Sequence, residues 1–293
     1  MARLYIVPAI GSKPLAKLTP EDVSKMLAGL TRPRTVKMGD GKTVKLGPLS
    51  ATTRRYCRVV LRIALWQAVR SGLLLRNVAA LATAPAAVHR ELPLWTAEQL
   101  RSFLAATAQD REGPLWAVLA ATGLRIGEAL GLRWEDIDLD DGTVAVRHKL
   151  SSVTRTLGEP KTARSRRTLR TGSTAIAALR TQKARQAAEQ LAAGPRWRGA
   201  GFVFASTVGT APDYSAIAPR FRAAVFSAGL PVVTIHSMRH AFATLALEAG
   251  EDLLTVSRAL GHASVSTTGN VHGHVTPASQ DRLAARMDAI LTG

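Results

Sequence analysis

Apolar positions recur along most of this chain at helical spacing, and the interruptions mark where helices should begin and end. Leu18-Thr19-Pro20-Glu21-Asp22-Val23 offers a Thr cap, a proline at the first helical position and acids in the first turn, ahead of Met26, Leu27 and Leu30. Residues 32–50 carry glycines and lysines with few large apolar side chains, which predicts a flexible basic loop or hairpin. A second helix is expected over 51–71, with Val59, Ile63, Trp66 and Val69 as its apolar stripe and Arg54, Arg55, Arg58 and Arg62 on another face. The Ala- and Pro-rich stretch 82–93 looks like a linker. Beyond it, Thr96-Ala97-Glu98-Gln99 forms a capping-box pattern before Leu100, Phe103 and Leu104.

An apolar helix over 115–121 is broken at Thr122-Gly123, where the glycine permits a turn that aims Arg125 away from the packing. Glu128 follows one helical turn later and reads as a salt-bridge partner. Residues 143–148 alternate as a short strand, and 161–169 suggest a further strand after a turn at Gly158-Glu159-Pro160. An Ala-rich helix over 173–191 should face its lysines and arginines to solvent. The segment 202–204 is short and apolar, and helices are expected over 214–228 and 252–260. At the end of the chain, Leu283, Met287, Ile290 and Leu291 make one more stripe, suited to intramolecular packing or to a neighbouring subunit.

Within 234–275 this pattern is crowded by polar groups that a core would not select. Five of the seven histidines lie between His236 and His274, and His236, Arg239 and His240 share one helical face at i, i+3 and i+4. These residue types allow hydrogen-bonded structural histidines, a zinc site, or a phosphate site in which guanidinium offers two parallel donors to two oxygens. The zinc reading is the weakest. Ser237 stands where the zinc-hydrolase motif needs its Glu base, and no Cys or acidic ligand follows nearby.

Charge favours the phosphate reading. Lys and Arg number 39 against 21 Asp and Glu, a formal excess of +18 in 293 residues, which points to a polyanion and to nucleic acid ahead of a membrane. The length allows one or two domains. Cys57 is the single cysteine, so an intramolecular disulfide and a cysteine zinc cluster are both excluded. With no apolar run of membrane-spanning length and no signal-peptide pattern, a cytoplasmic, nucleoid-associated protein is expected.

Four boxes resemble a known family, the tyrosine recombinases of the phage-integrase type. Ala121-Thr122-Gly123-Leu124-Arg125-Ile126-Gly127-Glu128-Ala129-Leu130 looks like their first box, and Glu159-Pro160-Lys161-Thr162 with Ser165-Arg166-Arg167 like the hairpin that carries their lysine. His236-Ser237-Met238-Arg239-His240 looks like their His-x-x-Arg box and Leu260-Gly261-His262 like the next. The resemblance is strong over 94–275 and looser over 18–88. It implies a mainly α fold with a small antiparallel β-sheet: a helical core-binding domain over 1–88, a linker over 89–93, and a catalytic domain over 94–293, the two domains clamping a DNA duplex.

By the same resemblance, Arg125 and Arg239 hold the non-bridging oxygens of the scissile phosphate, and Lys161 protonates the departing 5′ oxygen. His236 and His262 add hydrogen bonds, and Arg54, Arg55, Arg58, Arg62, Arg164 and Arg166 are candidate DNA contacts. No cofactor or metal is implied, because the guanidinium pair supplies the positive charge. The implied partner is double-stranded DNA at attachment-type sites, bound by a homotetramer, with an accessory DNA-bending protein possible.

Two departures set this chain apart from the pattern. The family places a nucleophilic tyrosine about nine or ten residues after the histidine of the Gly-His box, and here that position is His272; the tyrosines are Tyr5, Tyr56 and Tyr214, all upstream. Imidazole is shorter than phenol and attacks from another angle, so strand cleavage is expected to be impaired or lost, leaving an inactive DNA-binding relative as the alternative. Second, Leu4-Tyr5-Ile6-Val7-Pro8-Ala9-Ile10-Gly11 resembles the segment after the first core-binding helix. An N-terminally shortened domain with weakened DNA affinity is therefore expected.

Overall fold

The computed structural model describes residues 1–37, 41, 43–83, 85–86, 93–154, 156–158 and 166–261. The chain divides into two compact units, Met1–Glu91 and Leu92–Gly293.

In the first unit, a short π-helical turn (Ala2–Ile6) runs into α1 (Val7–Ile10), followed by α2 (Pro20–Gly29), a hairpin of β1 (Arg34–Lys37) and β2 (Thr43–Leu46), α3 (Ala51–Arg70) and α4 (Val78–Leu81). The capping signal at the start of α2 forms as read: Thr19 Oγ1 accepts from Asp22 N, and Asp22 returns a carboxylate to Thr19 N at 2.9 Å. The basic stretch after α2 is an antiparallel hairpin that pairs Arg34 with Leu46 and Val36 with Val44.

The stripe expected on α3 is the wrong one. Cys57, Leu61 and Leu65 are its buried positions, packed with Val23, Met26, Leu27, Val78 and Ala79, whereas Val59, Ile63 and Trp66 are 38%, 61% and 48% exposed. Both sets satisfy an i, i+4 spacing. The inward face is decided by where α2 and α4 lie, and Arg58 reinforces the choice by donating to the carbonyls of Ala79 and Ala80 at 2.9 and 2.8 Å.

The second unit is built around α6 (Gly113–Thr122), which is apolar on all sides and accordingly buried along most of its length. It packs against α5 (Ala97–Ala106), α7 (Ile126–Leu130), α8 (Ser173–Ala193) and α10 (Ile235–Glu248). One end of this core is aromatic: Trp95, Phe103, Trp116 and Phe221 of α9 (Tyr214–Ser227) meet in tilted and edge-on pairs with centroids 4.8 to 6.5 Å apart. The apolar 202–204 segment is also buried here; Gln182 and Gln186 of α8 donate to its carbonyls.

Two small antiparallel sheets flank the helices, β3 (Ile137–Asp138), β4 (Thr143–Val146) and β7 (Arg167–Arg170) in one, β5 (Lys149–Leu150) and β6 (Leu157–Gly158) in the other. Within β7, Arg167 pairs with Val146, and period-two alternation turns Arg167 and the buried Leu169 to the same side. Finally α11 (Leu253–Leu260), capped by Asp252, ends at Gly261 with φ +65°. The molecule is mainly helical with small antiparallel sheets.

Candidate phosphate site

Three separate elements bring arginines to one place, and the end of α6 sets the turn between them. α6 ends at Gly123 in the left-handed region (φ +62°), which a side chain would resist twice over: a Cβ there would lie 2.5 Å from Phe242 Cδ1 and 2.8 Å from Leu260 Cδ2. The sharp turn lets Arg125 begin α7, where its backbone N–H donates to Glu128 Oε2 at 3.1 Å and its Nη1 to Glu128 Oε1 at 2.9 Å. α10 starts at Thr234, whose hydroxyl accepts from Ser237 N, and carries Arg239 inward while His236 keeps an exposed edge. From β7, Arg167 donates through Nη2 to Glu128 Oε2 at 2.9 Å and through Nε to Ala259 O at 2.6 Å.

The decisive geometry is at the C-terminal end of α11. Arg239 donates Nη2 to Leu260 O at 2.6 Å and Nη1 to Gly123 O at 2.7 Å, and Arg125 Nη1 reaches the same Leu260 O at 3.4 Å. Arg125 and Arg239, 114 positions apart in sequence, thus converge on one carbonyl oxygen. Arg239 is buried at 4% exposure and forms no ion pair among the described residues, while the Arg125 side chain is 39% exposed.

Electrostatics follow from this crowding. Burial, with Arg125 and Arg167 nearby, pushes the Arg239 guanidinium down to about 9, against the pull of Glu128. Desolvation, then His240, Arg239 and Arg125, push His236 down to about 4, so its imidazole is neutral at physiological pH. His240 is lowered by burial and by Arg239, and its ring meets that of His236 edge-on with centroids 4.7 Å apart. For Glu128, burial alone would raise the carboxyl, but the hydrogen bond and charge of Arg167 and then the charge of Arg125 outweigh it and hold it below its ordinary value. The salt-bridge reading of Glu128 agrees with this geometry.

Of the residues singled out from sequence, the structure brings together Arg125, His236 and Arg239. Lys161, Arg164, His262 and His272 lie outside the described residues. Among the candidate DNA contacts, Arg55, Arg62 and Arg166 are exposed, Arg54 is half-buried, and Arg58 is engaged with the end of α4. Two participants carried no assigned role in the sequence reading: Arg167 and the Leu260 carbonyl. Strand alternation was the available signal for Arg167, since it shares a face with Leu169.

Residues 94–278 match the model of the phage integrase family. The chain belongs to that family. Among its relatives, the XerC-like tyrosine recombinase of Caldanaerobacter subterraneus is 32% identical over 204 residues, covering 65% of this chain and 52% of that protein. Tyrosine recombinase XerD of Mycobacterium tuberculosis is 30% identical over 269 residues, 88% of this chain and 79% of the relative. The chain spans about half the length of some curated relatives it matches. Among solved structures, the Tn1549 transposon integrase in complex with transposon right end DNA superposes with a TM-score of 0.76 at 21% identity, over 94% of this chain and 87% of the other. A lambda integrase dimer bound to a COC′ core site gives 0.63 at 19% identity, over 92% and 68%. At these identities the likeness is one of fold. Among the described residues of this family member, no helix is long and apolar enough to cross a membrane.

Proposed function

We propose that this integrase binds duplex DNA at specific sites and seats one backbone phosphate between Arg125 and Arg239, with strand cleavage impaired by His272. The observation that carries the reading is the convergence of both guanidiniums on Leu260 O beside Glu128, the one carboxylate bonded to either of them among the described residues, which leaves these groups with excess positive charge. Relatives and neighbours that are recombinases, two of them in complex with DNA, support the same substrate class.

In this mechanism the two arginines neutralise the charge that builds on the non-bridging oxygens as the phosphorus becomes five-coordinate. Lys161 gives a proton to the departing 5′ oxygen. His236, neutral at pH 7, accepts a proton from the attacking group or donates a hydrogen bond. With tyrosine at 272, the phenolic oxygen forms the bond to phosphorus as the bond to the 5′ oxygen breaks, giving a 3′-phosphotyrosine joint. The imidazole of His272 has neither the reach nor the geometry of that phenol. A second reading, a relative that occupies its sites without cutting them, is favoured by His272 alone. Tetramer formation on DNA and the candidate contacts Arg54, Arg55, Arg58, Arg62, Arg164 and Arg166 belong to the same proposal.

The test begins with duplexes selected by the purified chain from a random pool, then nicked and incubated with protein. The natural chain should retard the selected DNA yet form no covalent band on a denaturing gel, and His272→Tyr should produce one. A covalent band from the natural chain that disappears in His272→Ala would overturn the assignment of impaired cleavage.

A further inference from the structure

We infer that Arg167 is a positioning residue for the arginine pair, acting through Glu128 and through the end of α11. The inference rests on the phosphate-pocket reading and extends it to a residue that does not itself donate to Leu260 O in the way Arg125 and Arg239 do.

Arg167 sits where its planar fork can do two things together. Its side chain is 8% exposed, and β7 alternation, fixed by the pairing of Arg167 with Val146, leaves it no outward path. Nη2 takes Glu128 Oε2, the oxygen that also receives the backbone N–H of Arg125, while Oε1 of the same carboxylate receives Arg125 Nη1. Arg167 therefore divides Glu128 with Arg125. Without it, the full charge of a buried carboxylate would fall on Arg125, cancelling that guanidinium and drawing it away from an incoming anion.

The other half of the fork holds α11. Nε donates to Ala259 O, the peptide oxygen immediately before the Leu260 oxygen on which Arg125 and Arg239 converge. Gly261 passes so close to Arg167 that a Cβ there would lie 2.8 Å from Nη1. The contact fixes the helix end against the strand, and with it the acceptor that orients both phosphate-binding arginines. Lysine at 167 would keep the charge, but its single nitrogen cannot serve Glu128 Oε2 and Ala259 O with the geometry of the fork.

The expected order of phosphate affinity is thus natural chain, Arg167→Lys, Arg167→Met. Inorganic phosphate is titrated into each full-length protein, following the Arg125 and Arg239 Nε–H resonances in ¹⁵N spectra, with the melting temperature recorded for each. Arg167→Met should weaken phosphate binding roughly tenfold and shift the Arg125 Nε–H signal before any phosphate is added, with Arg167→Lys intermediate. A merely structural role would lower the melting temperature while leaving the phosphate dissociation constant and the Arg125 signal unchanged, and that result overturns the inference. Should Arg167→Met fail to fold, Arg167→Lys carries the same readouts. If the natural chain shows no response to phosphate, the pocket reading falls and the inference with it. If it responds and both variants bind within twofold of it, the inference alone is overturned.

Discussion

Glu128 is the residue on which the local charge balance turns. It is 4% exposed, and it accepts from two arginines at 2.9 Å each. Glu128→Ala leaves those cations facing each other in a partly desolvated site and should cost about 3 kcal/mol of unfolding free energy in urea titrations. A loss below about 1 kcal/mol would mean that water screens the pair as on an open surface. His236 gives the site a pH signature. Its folded value near 4 lies below its unfolded value of 6.5, so the stability linked to its neutral form is complete above pH 6.5 and is lost as pH falls toward 4. Glu128, also lowered, loses its contribution in the same direction at more acid pH. The urea midpoint should therefore fall between pH 7 and pH 5 less steeply in His236→Asn than in the natural chain; equal slopes would show that His236 is not the linked group. Arg239 and His236 were legible in the sequence because three-residue spacing puts both on the site side of one helix. The peptide oxygens of Gly123 and Leu260 were not, since no residue type advertises a carbonyl that serves a partner 116 or 21 positions away.

At the scale of elements, helix ends do the positioning. α6 stops at Gly123, α7 starts at Arg125, α10 starts just before His236, and α11 stops beside Arg239. Gly123→Ala should destabilise the protein by about 2 kcal/mol, from a left-handed φ and from the collision with Phe242, and should displace the oxygen that Arg239 Nη1 uses. An unchanged melting temperature in that variant would show that the turn can relax at no cost. These ends were visible in advance wherever a cap announces itself: Thr19 and Thr96 each cap the helix expected of them. The α3 stripe was misread for a different reason. Positions 57, 61 and 65 and positions 59, 63 and 66 describe two legitimate helical faces, and the choice between them is made by α2 and α4, which local periodicity does not register.

For the whole molecule, the excess of +18 supplies long-range attraction to a polyanion, whereas site contacts decide where that attraction is applied. Plotting the logarithm of DNA affinity against that of salt concentration should give a steep negative slope. Arg55→Ala and Arg62→Ala should each flatten it by about one unit, because both side chains are exposed on α3. Arg58→Ala should instead lower thermal stability with little change of slope, since its guanidinium is already given to Ala79 and Ala80. A slope change for Arg58→Ala equal to that of Arg62→Ala would put Arg58 on the DNA after all.

Peptide oxygens, not carboxylates, form the seat of Arg239, and this bears on how an anion would arrive. A guanidinium locked in an ion pair must surrender a full counter-charge before it can accept a new one, and the exchange slows capture. Arg239 is instead aimed by two neutral dipoles, so its orientation is settled in advance, and the carboxylate it feels among the described residues, Glu128, acts on it through charge without a hydrogen bond. Among the described residues, no carboxylate has to be evicted from it first.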